Sequence, residues 1–99
     1  MMQIVKQKEG SNLTISLEGR LDTTTSPQLE EELKQSLDGI TALAFDLAKL
    51  EYISSAGLRV LLSAQKVMNK QGEMKVTGAN DELKEIFEVT GFVDILNIE

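Results

Sequence analysis

Hydrophobic and polar positions alternate over residues 12–18 (NLTISLE), where Leu13, Ile15 and Leu17 are separated by polar neighbours. That period of two predicts a half-buried strand. Residues 3–9 (QIVKQKE) predict a second strand. Gly10, Ser11 and Asn12 lie between the two, so a hairpin is expected. Gly19 is expected to end the second strand. The period then changes. Leu29, Leu33, Leu37 and Ile40 recur on one helical face, with Ser26 as the expected N-cap, Pro27 in the first helical position and Gly39 as the stop.

Residues 42–47 (ALAFDL) form a short apolar run, read as a buried strand, and a loop is expected from Ala48 to Ser54. From Ser55 to about Gln71 the pattern is helical again, with Leu58, Leu61, Leu62, Gln65 and Met68 at helical spacing and Gly72 as the stop. Residues 74–77 predict a strand. Asn80 or Asp81 then caps a third helix carrying Leu83, Ile86 and Phe87, which Gly91 ends. The apolar tail, Phe92 to Ile98, reads as a last strand.

The order β-β-α-β-α-β-α-β implies an α/β fold: a mostly parallel sheet with an N-terminal antiparallel hairpin and about three helices. The 99 residues fit one domain, 1–99, with no linker, repeat or low-complexity segment. With 41% apolar and only 4% aromatic residues, the core must be largely aliphatic.

Composition narrows the chemistry. Cys and His are both absent. That removes disulfides, the usual zinc sites, Cys nucleophiles and Ser-His-Asp triads, so no cofactor and no catalytic residue is expected. The start, Met1-Met2-Gln3, shows no basic and apolar leader, and no run approaches the roughly 20 apolar residues of a membrane helix. A cytoplasmic protein without membrane insertion is expected. The net charge of −6, with no Lys/Arg cluster, disfavours nucleic acid and leaves a protein as the expected partner.

In parallel sheets, sites form where strands give way to helix N-termini. Two segments fall there: Asp22 to Ser26, and Asp46 to Gly57. Ser54-Ser55-Ala56-Gly57-Leu58 opens a helix, and a serine there is most commonly a cap. A phosphate on it would meet free N–H groups and the positive end of the helix dipole. Other readings need other partners. Asp22 and Asp46 could share a metal or act as an acid/base pair, but two carboxylates are few ligands for a divalent ion, and no metal site is expected. A Ser55 nucleophile activated by Lys49 or Lys66 has no supporting spacing. A receiver-like phospho-acceptor at Asp46 lacks the acidic pair after the first strand.

The stretch Phe45-Asp46-Leu47-Ala48-Lys49-Leu50-Glu51-Tyr52-Ile53-Ser54-Ser55-Ala56-Gly57-Leu58 resembles the signature of the STAS domain, found in bacterial anti-sigma factor antagonists and in sulfate-transporter tails. Gly19-Arg20-Leu21-Asp22 and Thr90-Gly91-Phe92-Val93-Asp94-Ile95-Leu96 resemble its outer motifs. The resemblance implies a phosphorylation-gated binding module that regulates transcription by partner switching. An anti-sigma factor that is also a serine kinase would phosphorylate Ser55, and a PP2C-type phosphatase would restore the active form. It also implies a partner surface at Asp22, Thr23, Thr24, Ser54, Ser55, Ala56, Gly57 and Leu58. Many kinase-regulated members carry Asp before the phosphorylated serine. Here it is Ser54, which becomes the second candidate. The alternative is an unphosphorylated accessory subunit of a transport complex or another scaffold.

Overall fold

The computed structural model describes residues 2–99. The elements run β1 (Met2–Glu9), β2 (Asn12–Leu21), α1 (Ser26–Ser36), β3 (Ala42–Ile53), α2 (Ser55–Gln71), β4 (Glu73–Thr77) and α3 (Asp81–Val89), followed by a 3-10 turn at Phe92–Asp94. The sheet order is β1-β2-β3-β4. β1 pairs antiparallel with β2, and β2, β3 and β4 are mutually parallel.

This order explains the one-sided core. Both crossovers, through α1 and α2, step in the same direction across the sheet. Crossovers of one hand that step in one direction put their helices on one face. That face carries Leu13, Ile15, Leu17 and Leu21 of β2, Leu43, Phe45 and Leu47 of β3, and Met74 and Val76 of β4, all buried. They form one cluster with Leu29 and Leu33 of α1, Leu58, Leu61 and Met68 of α2, and Leu83 and Phe87 of α3. The alternate residues, among them Thr14, Ser16, Ala44 and Asp46, point the other way and are half-buried.

The structure corrects the sequence reading in four places. β2 continues through Gly19, which has φ +99°, to Leu21. β3 runs to Ile53, so there is no loop from Ala48, and Asp46 lies within the strand rather than at its end. The cause is the register. Between Ser16 and Glu18, two steps of β2 are matched by three of β3, and between Gly19 and Arg20 one step is matched by two. Each extra residue is a bulge, and each breaks the period of two. The Asp46 carboxylate accepts from the Ala48 N–H at 3.0 Å, which satisfies a donor at the first irregularity.

Ser26 is not the cap of α1. Thr25 occupies that position without a side-chain cap bond, and Ser26 is the first helical residue. The tail is not a strand. After the 3-10 turn it touches β4 through one parallel bridge, Val76 to Ile98. The Val76 N–H donates to the Asn97 carbonyl at 2.8 Å, and the Glu99 N–H donates to the Val76 carbonyl at 2.8 Å. Of the two candidate caps for α3, Asn80 is the one used, its side-chain oxygen accepting from the Leu83 N–H at 2.9 Å.

Candidate functional site

The carboxyl ends of β2 and β3 lie side by side, with Leu21 paired to Ile53. The next N–H along β3, that of Ser54, donates to the Leu21 carbonyl at 2.9 Å. The two segments that follow, 22–26 and 54–58, therefore begin at one point on the sheet edge.

At the start of α2 the two serines have different roles. Ser54 is the N-cap, in extended backbone (φ −97°, ψ 175°), and its Oγ accepts from the Gly57 N–H at 3.3 Å. It is half-buried. A cap of this kind contributes about 1 kcal/mol. Ser55 is the first helical residue and is exposed. Its side chain is in none of the hydrogen bonds among the described residues. Ala56 is half-buried, whereas Gly57 and Leu58 are buried. The expected surface reaching to Leu58 is thus cut short. Leu58 belongs to the core, and Gly57 lets α2 close on the strand ends, since a Cβ there would stand 2.7 Å from Leu21 Cγ and 2.9 Å from Ile53 Cγ1.

Asp22 builds the neighbouring loop. Its Oδ1 accepts from the Thr24 N–H at 3.0 Å, the Thr24 hydroxyl at 2.8 Å and the Thr25 N–H at 3.1 Å. Its own N–H donates to Thr25 Oγ1 at 2.8 Å. Its carbonyl accepts from the Ser26 N–H at 2.8 Å and the Ser26 hydroxyl at 2.6 Å. Thus Ser26 is turned toward Asp22, which is why it does not cap α1. Thr23 and Thr24 are exposed.

Donation by the Thr24 hydroxyl is the main cause holding the Asp22 carboxyl below its ordinary value. Partial burial pushes the other way, and the Thr25 and Thr24 N–H groups and the Thr25 hydroxyl add to the lowering. A carboxyl lowered by folding stabilises the fold above its unfolded value of 3.8, and this stabilisation is lost as pH falls through the folded value. The stability difference between the natural chain and Asp22→Ala, read from urea unfolding, is therefore expected to shrink as pH falls from about 7 to about 2.5. A constant difference across that range would show that the ionised carboxylate does not hold the loop.

The other candidate pairings do not form. Asp46 lies seven residues before Ile53 in β3, whereas Asp22 follows the residue paired with Ile53. At about 3.3 Å per residue the two are on the order of 20 Å apart along the sheet. Among the described residues no group of three or more His, Cys, Asp or Glu comes together. The Lys49 ammonium sits 3.1 Å from the Glu18 carboxylate, away from Ser55. Two features of the site lie outside the surface that the sequence motifs imply. Arg20 stacks over the Tyr52 ring, 4.5 Å from its centroid. Arg59 lines a shallow groove between α1 and α2 with Thr23, Ser26, Pro27, Ala56 and Val60. Its place four residues after Ser55 was the available signal.

An exposed serine at a helix start stands beside a hydroxyl-rich loop and a shallow groove on a small α/β domain. Comparison with known proteins identifies the family of this domain. The STAS domain family model matches residues 3–99. BtrV of Bordetella bronchiseptica is 36% identical over 99 residues, covering 98% of this chain and 85% of that protein. The anti-sigma-B factor antagonist of Listeria monocytogenes is 34% identical over 98 residues, covering 96% of this chain and 85% of that protein. An anti-sigma factor antagonist from Mycobacterium paratuberculosis has the same fold in its crystal structure, with a TM-score of 0.89 at 21% identity over 99% of this chain and 85% of that one. The chain belongs to the STAS domain family, and within it to the anti-sigma factor antagonists, which are regulatory proteins and not enzymes.

Proposed function

We propose that this chain acts by reversible binding to an anti-sigma factor that is also a serine kinase, and that phosphorylation of Ser55 ends the complex. The Ser55 oxygen attacks the γ-phosphorus of ATP, ADP leaves, and the serine proton passes to a base on the kinase. A PP2C-type phosphatase hydrolyses the phosphoserine and restores the binding form. Because ATP is the donor, the cycle runs in the cytoplasm. Among the described residues no helix is long and apolar enough to cross a membrane.

One observation carries the reading: the Ser55 hydroxyl is exposed and unengaged, whereas the Ser54 hydroxyl holds the cap. A kinase can take Ser55 without unfolding the turn, and phosphate on the first helical residue is favoured by the helix dipole. The partner surface in this reading consists of Asp22, Thr23, Thr24, Ser54, Ser55 and Ala56, with Gly57 and Leu58 holding it from beneath. The test is mass spectrometry of the chain after incubation with its cognate kinase and ATP. Phosphate is expected on Ser55. Labelling only at other residues, or none, would overturn the switch.

A further inference from the structure

We propose that Arg59 is the intramolecular clamp for phosphoserine 55, a positioning residue that draws the phosphate along α2 and over the groove between α1 and α2. This regulation rests on the Ser55 reading above.

Arg59 is exposed on α2, four residues after Ser55. Residues at that spacing share a helix face, with Cβ atoms roughly 5–6 Å apart. Arg59 forms none of the ion pairs found among the described residues. The charged groups around it are engaged elsewhere or stand apart. Glu30, across the groove on α1, pairs with Lys34 at 3.7 Å. The Asp22 carboxylate receives the Thr24 and Thr25 donors. Arg20 lies over the Tyr52 ring, and Glu51 is exposed on β3. The first turn of α2 carries no acidic residue to repel a phosphate.

A phosphate dianion on Ser55 is thus the strongest acceptor within Arg59's reach, and the planar guanidinium suits its oxygens two at a time. Closing that pair brings the phosphate beside the Arg59 guanidinium, which lines the groove with Ala56, Val60 and Pro27. The modification then covers the groove as well as adding charge beside it.

The test places phosphoserine at position 55 during translation, so that no kinase is needed, and titrates the phosphate by phosphorus NMR. Free phosphoserine has a second pKa of about 6. The natural chain is expected to titrate about half a unit below Arg59→Gln, a roughly threefold difference in proton affinity. Arg59→Lys should fall between them, because an ammonium offers a point charge rather than a fork. Arg20→Gln should match the natural chain. Equal values for the natural chain and Arg59→Gln, or a shift that follows Arg20 instead, would overturn the clamp. Failure of a kinase to label Ser55 would sink the switch on which the clamp's regulatory use depends, and it is read in a separate experiment.

Discussion

Gly72→Ala is expected to destabilise the fold by about 3 kcal/mol or more, at the top of the range for overpacking a filled site. Gly72 joins α2 to β4 in extended backbone (φ 172°, ψ −135°), which any residue adopts. The difficulty is therefore contact and not conformation. A Cβ at this position would overlap the Thr41 carbonyl oxygen and stand 2.5 Å from the Thr41 carbonyl carbon and 2.8 Å from its Cα. These are backbone atoms, and they are held. The Thr41 N–H donates to the Ser11 carbonyl at 2.9 Å, and the Thr41 carbonyl accepts from the Glu73 N–H at 3.0 Å. Relief requires β4 to part from β3 at the start of their ladder, where Ala42 pairs with Glu73. Domains of this kind have a total stability of roughly 5–15 kcal/mol, so the loss is a large share. Urea unfolding should show a lower midpoint with an unchanged slope. Gly39→Ala is the internal comparison, since φ is +79° there but nothing lies within 4 Å of the added carbon. It should cost only the left-handed backbone penalty of roughly 1–2 kcal/mol. Gly72→Ala as mild as Gly39→Ala would show that the junction yields.

How far the sequence carried the reading depends on how regular each element is. The Leu13-Ile15-Leu17 alternation located β2, and the Leu58 to Met68 stripe located α2, because each follows one period along one buried face. β3 was truncated for the opposite reason. Its inward residues are Leu43, Phe45 and Leu47, then Leu50, then Ile53, and two bulges separate the last intervals from a period of two. The tail reads as a strand from its apolar content alone, yet its apolar residues are not all inward: Leu96 is buried, but Ile95 and Val93 are 47% and 41% exposed. At the site, the position of Ser55 was legible from the motif. The division of labour between Ser54 and Ser55 was not, because either serine could supply the oxygen that the Gly57 N–H needs. Asp22 could be named as a loop residue, yet its grip on Thr24, Thr25 and Ser26 depends on a backbone turn that residue types alone leave open.

Ser55→Asp and Ser55→Ala should separate stability from binding. Ser55 is exposed and its hydroxyl is unengaged, so Ser55→Ala should leave stability within about 0.5 kcal/mol of the natural chain. Ser55→Asp places a carboxylate in the first turn of α2, which carries no other acidic residue. There the helix dipole should stabilise it by about 0.3–1 kcal/mol. In the proposed complex with the kinase the sign is expected to reverse. A carboxylate held at a contact surface loses water, and one exposed guanidinium four residues along the helix, that of Arg59, replaces this water only in part, a penalty of about 2–5 kcal/mol for a poorly compensated charge at an interface. Ser55→Asp should therefore weaken the complex by at least about 30-fold while raising the unfolding midpoint slightly, and Ser55→Ala should bind like the natural chain and persist when ATP is added. Calorimetric titration of the two variants with the kinase, beside their urea unfolding curves, measures both effects. If Ser55→Asp lost affinity and stability together, a damaged helix start would explain the loss. Equal affinities for the two variants would show that the charge at this position does not gate the complex. Opposite signs for stability and affinity are specific to an added charge that the domain accommodates and its partner does not.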